Sequence, residues 1–395
     1  MATPGAVLPR AADGRREIPH TVSPGLWTLA WRRLRADRVG MVSLAIVLAF
    51  VVLMVLSATG LVAKDWAREV GVNYAPPSFL GADVEAGAPA VPAAPETASP
   101  GAEVPSSIVD PLADVIAELK GAKPAAPSAP AAPAEGRSVD PLADVMADIR
   151  ASKGGGAAEP AAAEARSATL PFGGDKWGRD IIAKTVKGSE TSIFVGIMSA
   201  IVATALGTLF GAVAGYYGRW VDDAFNWFYS VFNSIPYLLL ILAVAAVLQQ
   251  KGMLTIILIL GLTGWTGVFR LIRAEYLKHK SREYVQAADA IGASNARRMF
   301  VHIFPNVSHV VLVQLSILTV GFIKAEVILS FLGFGVPVDV VSWGSMLNEA
   351  QNELILGKWW QLVAATVAMA TLVTAFSLFT DALRDALDPK LKGHR

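Results

Sequence analysis

The sequence predicts an all-α integral membrane protein with six transmembrane helices and a long disordered insert outside the cytoplasm. The first observation is composition. Of the 395 residues 53% are hydrophobic and 17% charged, with a mean hydropathy of +0.47, which is too apolar for a soluble domain with a charged surface. The second is a set of apolar runs close to the roughly 20 residues that a helix needs to cross a bilayer. The third is the segment 81–170, which holds 12 of the 23 prolines and no Phe, Trp or Tyr.

Six apolar runs give the positions of the predicted spans. Most carry no charge, and the short run at 252–269 is followed by Arg270 and Arg273, which can snorkel beyond its end. One run, 307–333, includes Lys324 and Glu326. The uncharged runs are 39–63, 191–218, 224–250, 252–269 and 359–380.

Basic residues predict the orientation, because Lys and Arg are enriched in cytoplasmic segments near span ends. Four arginines lie in 32–38, directly before the first run, and seven basic residues lie between the fourth and fifth runs, in 270–298. We therefore expect both termini and the segment between those runs to be cytoplasmic. The first run follows about 40 residues, which is too many for a cleaved signal peptide, so we expect a retained anchor.

These observations divide the chain into five parts. The cytoplasmic amino-terminal segment and the first transmembrane helix are followed by an extracytoplasmic loop with the Pro- and Ala-rich insert. A core with five transmembrane helices and a cytoplasmic tail complete the chain. In that order the parts are 1–38, 39–63, 64–170, 171–387 and 388–395.

The insert cannot bury enough apolar surface to offset its chain entropy, so we expect residues 81–170 to be mostly disordered. It contains a repeat, 109–120 and 139–150, in which both copies begin Val-Asp-Pro-Leu-Ala-Asp. Each copy predicts a short amphipathic helix with Asp as cap and Pro at the first helical position. The pair is either a duplicated spacer or a pair of docking helices for an external partner.

Several function classes are excluded. The chain has no cysteine, so it has no disulfide, thiol nucleophile or Cys-ligated metal. Its net charge of +1 gives no attraction to nucleic acid. It contains no Gly-x-x-x-x-Gly-Lys-Ser/Thr loop for nucleotide phosphates, no metal-site spacing among its five histidines, and no Ser-His-Asp grouping. We expect no cofactor in this chain and no enzymatic activity of its own.

The segment 275–306, which we call the elbow, is polar although it lies between two spans. Its pattern predicts two short helices joined at Gly292, which suits a left-handed helix end, with Ser294 capping the second helix. Pro305 is expected to prevent a smooth run into the next span. The predicted apolar stripes are Tyr284, Ala287, Ala288 and Ile291 in the first helix, and Ala296, Met299, Phe300 and Ile303 in the second.

Two interpretations of the elbow remain open from periodicity. Small residues at its tip allow another protein to approach the backbone, so the elbow is a plausible lever for a soluble partner. Alternatively it is an amphipathic helix resting on the lipid headgroups, with Arg297 and Arg298 facing phosphates. Periodicity alone favours the second.

Small and charged residues within the spans give further candidates. Gly207, Gly211 and Gly215 lie on one helix face and predict a close helix contact in lipid. Lys324 and Glu326 point to different faces because they are two residues apart. We assign all five to a translocation path or a subunit interface. A kink is expected at 234–236, Ser-Ile-Pro.

The stretch Gln286-Ala-Ala-x-x-x-Gly292, followed by His302-Ile-Phe-Pro-Asn306, resembles the "EAA" motif by which bacterial ABC importer permeases meet their ATPases. It is similar to the dipeptide, oligopeptide and nickel branch, with Gln286 in place of Glu and Phe304 in place of Leu. The segment 172–180, Phe-Gly-Gly-Asp-Lys-Trp-Gly-Arg-Asp, resembles another stretch of that branch, with Gly in place of Thr at 174.

This resemblance implies the type I ABC importer permease fold in the bacterial inner membrane. The implied substrates are peptides or similar small solutes such as nickel complexes. The implied partners are a second homologous permease, one or two ATPase subunits that hold ATP and Mg, an extracytoplasmic substrate-binding protein and membrane lipid. The implied ATPase-coupling residues are Gln286, Ala287, Ala288, Gly292, Ala293, Arg297, His302 and Pro305.

The rival hypothesis is an ion channel or an ion-driven secondary transporter in which the elbow is an interfacial helix. One Lys and one Glu within the spans make a thin ion pathway, which speaks against it.

Overall fold

The computed structural model describes residues 26–81 and 166–387, and within them it is all-helical, as the sequence predicts. There the chain forms eleven helices and, beyond isolated bridges, no strand. They are α1 Leu26–Ala36, α2 Arg38–Ala58, α3 Ile181–Tyr217, α4 Arg219–Asn233, α5 Tyr237–Leu248, α6 Met253–Thr263, α7 Thr266–Lys280, α8 Glu283–Ala290, α9 Asn295–Phe331, α10 Trp343–Ile355 and α11 Trp360–Leu387.

Four of these helices, α2, α3, α9 and α11, are long and apolar enough to cross a membrane. The pairs α4–α5 and α6–α7 each pass the same test together but bend by 84° and 42° at their breaks. Counting each pair as one broken span gives up to six spans, in agreement with the six apolar runs. The sharper bend falls at Ser234–Pro236, where the kink is predicted, because Pro236 has no backbone N–H to continue the helix.

Helix α3 is the centre of the molecule and packs against α7, α9, α6 and α2. Its glycines Gly207, Gly211 and Gly215 lie on α7: a Cβ built on Gly211 would be 2.8 Å from the Phe269 carbonyl oxygen. On Gly215 it would be 2.6 Å from the Arg273 carbonyl oxygen. The predicted close helix contact is confirmed.

This contact lies within one chain, so these three glycines pack two helices of the same chain together, and their assignment to a translocation path or a subunit interface stays a prediction. Because glycine has no side chain, two helix backbones can approach closely and gain dispersion contacts. Here the second backbone is that of α7 in the same chain. A stripe of small residues predicts a close neighbour but does not identify it.

The chain on both sides of the insert is folded. Residues 59–81 and 166–180 meet through isolated bridges, including Gly71 with Ser167 and Pro77 with Leu170, and we call this unit the cap. The folded chain therefore resumes at residue 166, inside the segment 81–170 expected to be disordered. Both repeat copies lie in 82–165, outside the described residues, as do 1–25 and the tail 388–395.

The amino-terminal segment contributes a helix that the sequence reasoning missed. Helix α1 buries Ala30 and Leu34 against Ala386 and Leu387 at the end of α11. Its tryptophans are exposed, and the Arg35 guanidinium lies 4.9 Å from the Trp31 ring. The signal that could have predicted this helix is the helical spacing of the apolar residues within the basic segment.

Candidate functional site

The elbow folds as the end of α7, then α8, a tight turn and the start of α9. Gly292 has φ +80°, the left-handed conformation that favours glycine. The Ala293 N–H donates to the Ala288 carbonyl at 3.0 Å and the Gly292 N–H donates to the Asp289 carbonyl at 2.9 Å, which is a Schellman motif. The Ser294 hydroxyl oxygen accepts from the Arg297 N–H at 3.3 Å. Both predicted ends, the left-handed glycine and the serine cap, are confirmed.

The buried side of the elbow differs from the predicted stripes. Val285, Met299 and Ile303 are buried in a cluster with the ends of α3 and α7, and Ala288 is buried as well. The stripe residues left exposed are Tyr284, Ala287, Ile291, Ala296 and Phe300. The stripes are therefore only partly right. A helix of two turns offers several similar apolar faces, and its packing partner decides which one is buried.

The expected interruption at Pro305 is also wrong, because α9 runs from the elbow into the membrane span without a break. Residues Arg298–Ile303 form a π-helical stretch in which the Phe304 N–H donates to the Met299 carbonyl, five residues back. Proline has no N–H and its ring collides with the carbonyl four residues earlier in an ordinary α-helix. The wider π turn before Pro305 accommodates both defects.

Polar contacts fix the start of α9 to the ends of α3 and α7. The Tyr276 hydroxyl donates to the Met299 carbonyl at 3.2 Å, and the Tyr216 hydroxyl donates to the Asn295 side-chain oxygen at 3.0 Å. Arg298 forms an ion pair with Asp289 across the turn. Arg298 therefore braces the turn, and the interpretation in which Arg297 and Arg298 face lipid phosphates stays open.

One further contact joins the base of the elbow to its own first helix. His279 Nδ1 and the Tyr284 hydroxyl lie 2.8 Å apart. Partial burial raises the pKa of Tyr284 and outweighs the positive charge of Arg282, which lowers it. The hydroxyl therefore keeps its proton at neutral pH. Both ends of α8 are thus tied to neighbouring structure.

The eight predicted coupling residues fall into two groups. Ala288 belongs to the buried base, and Ala293 and His302 are half-buried. The remaining five are exposed; they are Gln286, Ala287, Gly292, Arg297 and Pro305. A Cβ built on Gly292 would meet no atom within 4 Å. The side chain of Ile291, which no motif singled out, is 84% exposed beside it.

Lys324 and Glu326 point to different sides of α9, as predicted. Lys324 is exposed, whereas Glu326 is fully buried and accepts a 2.7 Å hydrogen bond from the Ser330 hydroxyl. The hydroxyls of Ser192 and Ser342 also lie against its carboxylate. Glu326 therefore joins α9 to neighbouring segments of its own chain, and Lys324 stays a candidate for a path or a subunit interface.

A cluster of charges at the other end of α3 was missed by the sequence reasoning. Lys184 in α3 donates to Asp175 from the cap, Glu349 from α10 and Gln361 from α11. Its charge also acts on the nearby Glu353 of α10. We call it the Lys184 cluster. The one sequence signal was Lys184 itself, a charge within reach of an apolar run, since its partners lie as far as 177 residues away.

Comparison with known proteins covers most of the described helices. Residues 207–393 match the family model of the binding-protein-dependent transport system inner membrane component. Residues 25–77 match the model of the N-terminal TM domain of oligopeptide transport permease C. The insert lies between the two matches.

Relatives that match more than half of this chain are also found. The chain is 37% identical over 226 residues to the dipeptide transport system permease protein DppC of Bacillus subtilis, covering 57% of this chain and 70% of the relative. It is 35% identical over 221 residues to the oligopeptide transport system permease protein OppC of the same organism, covering 56% and 72%. It is 34% identical over 219 residues to OppC of Haemophilus influenzae, covering 55% and 70%.

Proposed function

Because the chain belongs to the family of binding-protein-dependent transport permeases of the dipeptide and oligopeptide type, we propose that it forms the membrane path of an ATP-driven peptide importer. It is an inner membrane protein and not itself an enzyme, since this family leaves ATP hydrolysis to separate subunits. The elbow 275–306 is proposed to receive the movement of those subunits. ATP and Mg would bind to the ATPase subunits and not to this chain.

The observation that carries this proposal is an exposed tip on a buried, clamped base. Ile291 and Gly292 project where nothing in the described chain covers them, while Val285 and Met299 are buried beneath the turn. An exposed large apolar side chain beside small residues fits a protein partner, in which such side chains act as anchors. A helix that merely rests on headgroups needs no Schellman turn braced by an ion pair.

The base connects the tip to the membrane spans. Force on the turn would pass through the Tyr216 and Tyr276 hydroxyl contacts into α3 and α7. These two helices move as one body because their backbones touch along the glycine stripe. Asp222 of α4 is joined to Arg273 of α7 by two hydrogen bonds of 2.5 Å, which extends the same body to α4.

The arginine bias supports a cytoplasmic elbow and cytoplasmic termini, with the cap on the opposite side. The further proposed partners are a second homologous permease, one or two ATPase subunits, membrane lipid, and a substrate-binding protein that meets the cap from outside. The relatives' names favour peptides, and nickel complexes are the alternative. Peptide uptake and nickel uptake by cells that carry only this importer separate the two.

The buried position of Glu326 favours an importer over an ion-driven transporter. Among the described residues, it and Lys324 are the charges within the span-length part of α9, and Glu326 accepts a hydrogen bond from the Ser330 hydroxyl of its own chain. No chain of carboxylates for ion passage is present in that helix.

The test uses two isoleucines of equal exposure at opposite ends of the molecule. Ile291 is 84% exposed on the elbow and Ile355 is 83% exposed at the end of α10. We expect Ile291→Glu to lower both retention of the ATPase during purification and ATP-dependent uptake by about tenfold or more, because a charge replaces an apolar anchor. Ile355→Glu should retain the ATPase fully. Equal retention in both variants would refute the assignment of the elbow.

A further inference from the structure

The Lys184 cluster contains one more carboxyl group than its ammonium can bind. Lys184 is fully buried, and its Nζ lies 2.7 Å from Asp175 Oδ2, 2.6 Å from Glu349 Oε2 and 3.2 Å from Gln361 Oε1. A lysine ammonium has three donor hydrogens. The contacts with Asp175, Glu349 and Gln361 use all three hydrogens, so none remains for Glu353.

Glu353 lies one turn after Glu349 on α10 and is 2% exposed. Neither of its carboxyl oxygens makes a hydrogen bond of normal geometry with any described residue. A buried ionised carboxylate without a partner is costly, and two like charges four residues apart on a helix repel each other. This packing therefore suits a neutral, protonated Glu353.

The charged groups that face Glu353 come from three elements. Burial raises the pKa of Glu353 to about 7, and the negative charges of Asp175 and Glu349 raise it too. The positive Lys184 of α3 and the Lys176 backbone N–H of the cap act in the opposite direction. The net result places the titration of this group near neutral pH.

The sign of the linkage follows from this direction. Since the folded-state pKa lies above the ordinary value of 4.5, the fold favours the protonated form. The stabilisation is fully present below about pH 4.5 and is lost as pH rises through about 7. Loss of the proton places a second uncompensated negative charge in the cluster.

We propose that Glu353 is a proton-binding site that latches α10, so that α10 stays packed on α3 and α11 with the proton bound and its carboxy-terminal half loosens when the proton leaves. The site concerns the cap end of the molecule and is independent of the proposed role of the elbow. The proton exchanges with water on the side of Glu349, whose side chain is 30% exposed.

The two ends of α10 are held differently. At its start, the Trp343 N–H donates to the Ser192 hydroxyl at 3.2 Å and the Trp343 indole donates to the Thr185 carbonyl at 3.1 Å. At its end, Ile355 and Leu356 are exposed. An ionised Glu353 gains a partner only by displacing Glu349 from Lys184 or by reaching water. Either change displaces the last turn of α10 while Trp343 holds the first.

The experiment measures this displacement directly in the full-length chain in lipid nanodiscs. The natural chain has no cysteine, so spin labels can be placed at Asn352→Cys on α10 and Asn73→Cys on the cap, both exposed positions. The distance between the labels is measured by pulsed electron resonance between about pH 5 and about pH 9, a window that brackets the titration. As pH rises, we expect a population with a second, longer distance between the labels to appear, with a midpoint near pH 7.

Two variants assign the proton to one residue. Glu353→Gln should hold the low-pH distance at every pH, because the amide keeps the shape and cannot ionise. Glu349→Gln should keep the transition but move its midpoint to lower pH, because a negative neighbour is removed. Infrared spectra of the natural sequence should show the signal of a protonated carboxyl group at low pH. This signal should be absent from Glu353→Gln and present in Glu349→Gln.

A distance that does not change with pH in the natural sequence would overturn the proposal. So would a pH-dependent change that survives in Glu353→Gln. Neither measurement requires transport or ATP, so its failure is distinguishable from failure of the importer assignment.

Discussion

The two ends of α3 are held to their neighbours by opposite means. At the Lys184 end, helices are joined by buried charges, with one ammonium shared by Asp175, Glu349 and Gln361. At the Tyr216 end, they are joined by touching backbones, buried apolar side chains and phenol hydroxyls. The two sites are roughly 48 Å apart along a helix that rises about 1.5 Å per residue.

The difference indicates what each end can do. Backbone contact along glycines has one geometry and does not depend on pH, so it suits an element that must pass movement on without deforming. A buried charge network has alternative pairings and depends on protonation, because each pairing is paid for by desolvation. The elbow end is therefore suited to transmission, and the cap end to a change of state.

The largest expected effect breaks the charged end. Lys184→Met should destabilise the protein by about 3–5 kcal/mol, because the fully buried Asp175 loses the ammonium that compensates it. The matched control is Lys187→Met, whose partly exposed pair with Glu190 lies one turn along the same helix. We expect that control to cost less than about 1 kcal/mol. Thermal unfolding in detergent measures both, and equal losses would contradict the contrast.

An intermediate effect is expected in the glycine contact. Gly211→Ala should cost about 1–3 kcal/mol, because the added Cβ meets backbone atoms of Phe269 and Arg273 at 2.8 and 3.0 Å. Gly267→Ala on α7 is the control, since a Cβ there meets nothing within 4 Å and alanine favours the helix. Thermal unfolding should show that Gly267→Ala is as stable as the natural sequence or more stable. A Gly211→Ala protein as stable as the control would show that the contact is loose.

The smallest effect on stability is expected at the turn of the elbow, although the effect on function there should be large. Gly292→Val should cost about 1–2 kcal/mol because valine is strained in the left-handed region. Gly333 has φ +85° and equally open space, so Gly333→Val carries the same strain away from the elbow. Only Gly292→Val should reduce ATPase retention and uncouple ATP hydrolysis from uptake. Comparable uncoupling in both variants would attribute the effect to backbone strain alone.

Local features of the elbow could be predicted because they depend on residues close in the chain. Gly292 and Ser294 end one helix and begin the next through hydrogen bonds that span at most five residues. The break at Ser234–Pro236 follows from one missing N–H in the same way. The side of α8 that is buried could not be predicted, since Val285 is selected by its contact with distant helices.

The sequence by itself determined the number and place of the apolar spans, the family resemblance of the elbow and its turn. Each of these is a property of composition or of a few neighbouring residues. Only the tertiary structure decided that the glycine stripe faces the chain's own α7, that a π turn carries α9 past Pro305, and that Lys184 meets Glu349 and Gln361. Those contacts join residues up to 177 positions apart, and a buried charge finds its partner through the packing of whole helices, which no local pattern records.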